Sequence, residues 1–406
     1  NFSFDDEIMK LNKINKIFIL AGETSGDYIG SCIMRGVKQN NNNIKFLGVG
    51  GSFMENEGLS SLYNIKEFNV IGFLNTVVKL KKLRNYVNEI VKFIIKEEPK
   101  IVITIDTKGF SLALAKSLKI AFKNSNYKCP LIHFVPPTIW AYGKSRLKKW
   151  KNIHDELICL YKIEEDIFKK YDTKCMYLGN PIIEKFLDFE QSKKIKNNDN
   201  NRSKKNNILL LPGSRSSEIK YILPEFIKLI KNTNNKFKNV NWIIPITKSQ
   251  YSNVLSKVNE IKSYPIEVII LEDNYEILKH SSFAIACSGT VTLELVLFKI
   301  PTVAVYKTDF VSALIGRMLV NFKNVILPNF LLKKNVVPFL FQEKCNHIQM
   351  QKALINFMNN IETQNKLYEN YSKNILKDMG YLNSKSTNFT INSGKMVINL
   401  INNYKR

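Results

Sequence analysis

The sequence predicts an α/β protein of two Rossmann-like, doubly wound domains facing each other across a cleft, and three observations predict it. First, short apolar runs ending in Gly or Pro alternate with longer stretches of helical period. The strand candidates are "KIFILA", "KFLGVG", "IVITID", "LIHFVP", "ELICL" and "CMYLG", then "NILLLPG", "WIIPI", "EVIIL", "FAIAC" and "TVAVY". Their apolar character is continuous rather than alternating, the pattern of parallel strands covered by helices on both faces. Second, a chain of 406 residues exceeds the usual size of one hydrophobic core. Third, residues 190–206 are polar and rich in Asn and Lys, the composition of a linker. The expected division is a first domain over 14–189, the linker over 190–206, a second domain over 207–375 and a helical tail over 376–406 that is free to cross back to the first domain. Doubly wound sheets bind ligands outside the carboxyl ends of their strands, so the strand-to-helix turns are where function is expected.

Composition narrows the class. Hydrophobic residues make up 45% and charged residues 23%, as in ordinary globular proteins. No 18-residue stretch is both apolar and uncharged, so no transmembrane helix is expected. Asp5, Asp6 and Glu7 stand where a secretion signal needs basic residues, although a chain that does not begin with Met leaves a removed leader open. Cys32, Cys129, Cys159, Cys175, Cys287 and Cys345 form no CxxC pair, and several lie in apolar strand-like runs; buried, reduced thiols of a cytosolic protein are the reading. Four histidines without i, i+4 pairing argue against zinc. The net charge of +25 accompanies heavy use of Asn and Ile, as in "KNNDNNRSKKNN". A compositional bias toward Lys, Asn and Ile explains that charge better than nucleic acid does, and an anionic membrane surface is the other partner it suits.

Along the chain, the first turn is "GETSGDYIG". Gly22, Gly26 and Gly30 are spaced GxxxGxxxG rather than GxGxxG, the following "KFLGVGG" ends in no ribose-binding acid, and there is no P-loop lysine. It is either a plain glycine turn or, with Glu23, Ser25 and Asp27 at a helix N-terminus, a place to recognise hydroxyls. Phe68 to Ile95 has helical period and carries Lys79, Lys81, Lys82 and Arg84. It reads as a core helix with a solvated basic face, or as an interfacial surface entering the headgroup layer through Phe73 and Leu74. In "IVITIDTKGF", Asp106 ends a buried strand and is either the N-cap of the helix "SLALAKSL" or a general base. In "LLLPGSRSSEI", Pro212-Gly213 leads into a helix starting near Glu218; the N–H groups of Gly213 and Ser214 would point at an anion, with Arg215 forking onto phosphate oxygens. "ACSGTVTLELVLF" repeats the arrangement with Ser288-Gly289-Thr290 in the turn and Glu294 one helical turn on. Two such turns and an acid suit a diphosphate flanked by a ribose, against the alternative of ordinary strand–helix turns.

Taken together, "AGETSGD", "GVGG" with "ME", "IDTKGF", "VPPTIWAY", "GNP", "LLPGSRSSEI", "SGTVTLE" and "LPN" resemble, in order and from about Lys16 to Cys345, the lipid-A-disaccharide synthase family of inverting GT-B glycosyltransferases. The resemblance implies condensation of UDP-2,3-diacylglucosamine with 2,3-diacylglucosamine 1-phosphate into lipid A disaccharide 1-phosphate and UDP. It makes Asp106 the base, sets Glu23 and Ser25 near the acceptor, and assigns Arg215, Ser288, Gly289, Thr290, Glu294 and Asn329 to the UDP-sugar donor beside Gly213 and Ser214. No DxD pair ends a strand, so neither metal nor other cofactor is expected. The implied partners are the two acylated sugars and an anionic membrane surface, not nucleic acid. The implied location is cytoplasmic and peripheral to the inner membrane, with oligomerisation left open. Other readings are a different GT-B enzyme of UDP-sugars, such as a peptidoglycan glycosyltransferase (whose "GGTGGH" type of loop is absent) or an epimerase, and a basic nucleic-acid-binding protein. Three departures from the family pattern stand out: Thr107-Lys108-Gly109 after the aspartate, Asn180 where His is common, and no acid near Phe339.

Overall fold

The computed structural model describes residues 15–41, 43–69, 77–139, 147–195, 206–233, 237, 239–271, 275–278, 280–319, 325–381 and 388–404. They form two compact units, the division falling after Glu184 and the last helix belonging to the first unit. The first unit runs β1 (Asn15–Ala21), α1 (Thr24–Asn40), β2 (Ile44–Val49), α2 (Ser52–Asn56), β3 (Ser60–Ser61), α3 (Ile65–Asn69), α4 (Val77–Glu97), β4 (Ile101–Ile105), α5 (Lys108–Lys123), β5 (Leu131–Phe134), α6 (Leu147–Trp150), β6 (Glu156–Cys159), α7 (Lys162–Lys169), β7 (Cys175–Tyr177) and the start of α8 (Pro181–Ile195). The second holds β8 (Asn206–Leu211), α9 (Ser216–Thr233), β9 (Val240–Ile246), α10 (Tyr251–Val258), β10 (Ile266–Ile270), β11 (Phe283–Cys287), α11 (Val291–Leu297), β12 (Thr302–Tyr306), α12 (Phe310–Leu319), α13 (Leu327–Leu332), β13 (Phe339–Phe341), α14 (His347–Asn359) and α15 (Ile361–Asp378). Helix α16 (Phe389–Asn403) then packs on α1 in the first unit.

The first sheet has seven strands in the order β3-β2-β1-β4-β5-β6-β7 and the second six in the order β10-β9-β8-β11-β12-β13. Every pairing is parallel, with registers such as Phe18↔Val102 and Ile285↔Leu210. The continuous apolar runs account for this: Ile17 to Leu20 and Ile208 to Leu210 are wholly buried. Burying such side chains is worth about 1.5–3 kcal/mol each, and only a sheet with helices on both faces can bury consecutive ones. In each sheet the chain starts at the middle, winds one way, then crosses back and winds the other. The strand order therefore reverses between β1 and β4, and again between β8 and β11. These switch points splay apart the following helices and are where doubly wound folds bind ligands.

Of the stretch Phe68 to Ile95, Val77 onward is helical (α4) and Phe68 closes α3, while residues 70–76, with Phe73 and Leu74, lie outside the described residues. Phe68 itself is core, edge-on to Phe110 and tilted against Tyr63 and Tyr86, so it is spent on packing rather than offered to lipid. Helix α9 starts at Ser216, two residues earlier than expected, because Glu218 acts back on the turn that precedes it. All six cysteines are buried, and none is in a disulfide among the described residues. Among the described residues no helix is long and apolar enough to cross a membrane.

Candidate active site

At the switch point of the first unit, β1 delivers Gly22-Glu23 and β4 delivers Asp106-Thr107. The two turns touch: a Cβ on Gly22 would lie 2.6 Å from Thr107 Cγ2 and 2.9 Å from Phe68 Cβ, so only glycine fits there. Glu23 is the N-cap position of α1 yet makes no side-chain capping bond; it is half-buried, as is Ser25 two residues on in the first turn of α1. Asp27, grouped with them in the sequence, does a different job. Buried, it accepts hydrogen bonds from the N–H groups of Gly51 (2.8 Å), Phe53 (3.0 Å) and Met54 (3.1 Å) and so anchors the start of α2. Burial raises its pKa, against the lowering effect of those bonds.

Asp106 is not the N-cap of α5. That position is Thr107, which makes no side-chain capping bond, and the helix starts at Lys108. Asp106 and Thr107 are both left-handed, at φ 49° and 43°, and Val135 at the end of neighbouring β5 has φ 64°. Non-glycine residues in this region cost of order 1–3 kcal/mol each and concentrate at functional sites. The turn is held by Asp106 N–H to Phe134 O (3.0 Å), Ser111 Oγ–H to Asp106 O (2.9 Å) and Thr107 Oγ1–H to Ile105 O (2.9 Å). The Asp106 carboxylate, about a quarter exposed, has Oδ1 3.1 Å from Lys108 Nζ. Burial works against the charge on Lys108, but the carboxylates of Asp106, Glu23 and Glu164 outweigh it and raise its pKa. Glu164, on α7, accepts from the N–H groups of Leu160 (3.1 Å) and Tyr161 (3.2 Å). Burial pushes it up to about 8, against those bonds and Lys108. Asn180 is wholly buried, donating to Leu160 O (3.3 Å) and accepting from Ile182 N–H (2.9 Å).

The second unit brings two further turns to its switch point. Gly213 has φ 104°, and a Cβ there would collide with the Glu218 carboxylate. The N–H groups of Ser214 and Arg215 donate to Glu218 Oε2 (3.1 and 3.3 Å), and Arg215 Nη1 lies 3.4 Å from Glu218 Oε1. Three donors that suit an anion thus already hold one, a carboxylate from the first turn of their own helix. This is the reciprocal half of a capping box, with Arg215 standing where the usual sequence signal has Ser or Thr. After β11, Ser288 is half-buried with its N–H spent on Val305 O (2.8 Å), while Gly289 and Thr290 are exposed ahead of α11. Glu294 lies half-buried within α11. The turns adjoin, since Glu218 and Arg215 both act on the Cys287 thiol before Ser288; burial is the main cause of its raised pKa.

Asn329 differs from the donor residues expected beside it. It is buried, accepting from Val336 N–H (2.9 Å) and Val337 N–H (2.8 Å) and donating to Asn335 Oδ1 (3.0 Å) and Val337 O (2.9 Å). A primary amide so engaged has no capacity left for a nucleotide; it shapes the loop before β13. Lys108 was legible beside Asp106 from the sequence; Glu164, which acts on it, and Glu218, which holds the turn before α9, are the neighbours that sequence reasoning did not place in the site. Among the described residues no group of three or more His, Cys, Asp or Glu could hold a metal ion.

Two Rossmann-like parallel units with polar turns at their switch points define a GT-B protein, the fold of nucleotide-sugar enzymes. In keeping with that class, the chain is similar in fold to UDP-GlcNAc 2-epimerase from Neisseria meningitidis bound to UDP-GlcNAc, with a TM-score of 0.58 and 12% identity over 96% of this chain and 99% of that one. The profile of the lipid-A-disaccharide synthetase family matches residues 17–390, and the chain belongs to that family of lipid A glycosyltransferases. Its relatives include the lipid-A-disaccharide synthases of Francisella philomiragia (31% identical, covering 88% of this chain and 93% of that one) and Rickettsia prowazekii (29%, 93% and 97%).

Proposed function

We propose that the protein transfers diacylglucosamine from UDP-2,3-diacylglucosamine to 2,3-diacylglucosamine 1-phosphate, giving the β-1′,6-linked disaccharide 1-phosphate and UDP. The observation that carries the reading is Asp106, a carboxylate left uncommitted to capping, on a strained turn at the switch point of the first unit. Asp106 takes the proton of the acceptor 6-hydroxyl as that oxygen attacks the anomeric carbon. The bond from that carbon to the diphosphate breaks on the opposite face, and the configuration inverts. Glu23 and Ser25, just after the turn whose Gly22 meets Thr107, bind the acceptor. In the second unit the diphosphate takes the Arg215 guanidinium and the turn at Gly213 and Ser214, where donors fixed in advance stabilise charge building on the leaving group. Ser288, Gly289 and Thr290 line the donor, with Glu294 toward the ribose.

Both substrates carry acyl chains, so a protein acting on them works at a membrane surface. Lys81, Lys82 and Arg84 on α4 are exposed and suit the anionic face of a cytoplasmic membrane. Incubation with both acylated sugars, followed by mass spectrometry, tests the reaction. A disaccharide 1-phosphate with stoichiometric UDP is expected; free sugar or an epimerised UDP-sugar in its place overturns the reading.

A further inference from the structure

Asp106 has two carboxylate oxygens in different circumstances. Oδ1 is 3.1 Å from the Lys108 ammonium, whereas among the described residues nothing bonds Oδ2. The backbone beneath offers little to fix the side chain, because the ordering bonds of this turn go to main-chain atoms: Phe134 O, Asp106 O and Ile105 O. Lys108 approaches Asp106 from a helix start. It opens α5, so its Cα is set by the helix, and its ammonium lies in the field of Glu23 before α1 and Glu164 on α7 as well as Asp106. Glu164 is in turn pinned by two backbone N–H groups. The ammonium thus lies in the field of carboxylates from three elements and touches one of them, Asp106, through Oδ1.

We infer that Lys108 is a positioning residue for Asp106, holding Oδ1 so that Oδ2 is presented in one orientation to the acceptor hydroxyl. The inference rests on the reading of Asp106 as the base. A carboxylate free to turn about its Cβ–Cγ bond presents either oxygen in many directions, and misplacement of a reacting group by about 1 Å can cost about 100-fold. Lysine suits the task because its point charge needs no particular approach angle.

The test compares Lys108→Ala, Lys108→Arg and Asp106→Asn in the full chain with both acylated sugars. Lys108→Ala should lower kcat about 10- to 100-fold while KM for the acceptor and UDP affinity stay within about twofold. Methylammonium at millimolar concentration should restore part of the rate in Lys108→Ala only, and Lys108→Arg should retain most of it. Unchanged or faster turnover in Lys108→Ala overturns the inference. So does a raised acceptor KM at constant kcat, which would make Lys108 a substrate-binding group. A loss without amine rescue, matched by a fall in melting temperature, assigns it to the fold instead and likewise overturns it. Asp106→Asn separates the two claims: if it keeps turnover the base reading falls, and if it is inactive while Lys108→Ala is fully active only the positioning role falls.

Discussion

At the scale of single residues, Asp106 and Arg215 carry opposite lessons. The carboxylate read as either cap or base is not a cap, since α5 starts beyond Thr107. Asp106→Asn, nearly isosteric, should lower turnover about 10²–10⁴-fold with melting temperature and UDP affinity little changed; near-full turnover would return the residue to a structural role. Arg215 was legible as an anion ligand, but its present partner was not. Removing it should cost UDP binding roughly 1.5–3 kcal/mol, measured by calorimetry, and an unaltered affinity would reject the assignment. Glu218 holds the same donors, so a diphosphate binding there meets a carboxylate already in place. Glu218→Gln keeps an acceptor for the turn but removes the like charge, and should tighten UDP about tenfold; weaker binding would show that the charge orients Arg215 rather than competing with the ligand. Sequence showed these residues one at a time. It did not show that Glu164 acts on Lys108 in the first unit, or that Glu218 holds the turn before α9 in the second, because such contacts depend on side-chain direction as well as spacing.

At the scale of elements, eleven of the thirteen described strands were readable as apolar runs, because consecutive apolar residues suit a doubly covered parallel sheet; this holds even for the edge strand β10, none of whose five residues is buried. The edge strands β3 and β13 were not. Ser60–Ser61 is two residues long with no apolar signal, and Phe339–Phe341 is three; each is ordered by the neighbour it pairs with. Helix α16 was legible as helical, but its seat depends on glycine. A Cβ on Gly394 would run into the backbone of Gly36 on α1, and one on Gly36 into Thr390. Gly394→Ala gains about 1 kcal/mol of helix propensity but forces the helices apart, and overpacking typically costs about 1–3 kcal/mol. A lower melting temperature is expected, and a rise would mean the crossing relaxes freely. On α4, Lys82 is 3.4 Å from Glu67 while Lys81 and Arg84 are exposed. Charge reversal at Lys81 and Arg84 should weaken binding to anionic vesicles by about 1 kcal/mol per residue, and high salt should do the same. Unchanged co-sedimentation would make this a solvated face only.

For the whole molecule, the doubly wound plan was legible from pattern alone, while its response to pH lies in groups whose burial the pattern hides. His133 and His154 are buried among Trp150 and each other, with ring centroids 5.1 Å apart, and His154 stacks on the indole. Burial is the main cause that drives His154 down to about 3 and His133 well below its usual range; Lys119 lowers the first further, and His154 and Lys108 lower the second against a hydrogen bond to the Val135 backbone. A base whose folded pKa lies below its unfolded value leaves the unfolded chain holding more protons, so stability is full above about pH 6.5 and falls as pH drops below it. Glu164 acts oppositely. Raised by burial to about 8, it binds a proton in the folded state that the unfolded chain releases above about pH 4.5, so its contribution falls as pH climbs from there to 8. Glu225, paired with Lys307 (3.0 Å) and His347 (3.1 Å), is held down to about 2; burial opposes these partners and they win. Its contribution is lost as pH falls below about 4.5. Between pH 6.5 and 4.5, two histidines outweigh one glutamate by about one proton, a slope of about 1.4 kcal/mol per pH unit; below that range Glu225 steepens the loss, and above it Glu164 dominates. The melting temperature should therefore peak near pH 6.5. His154→Phe, which keeps a flat ring against Trp150, should flatten the acid limb and leave the alkaline limb unchanged. An acid limb of the same slope in that variant would show that groups other than the buried imidazoles set it.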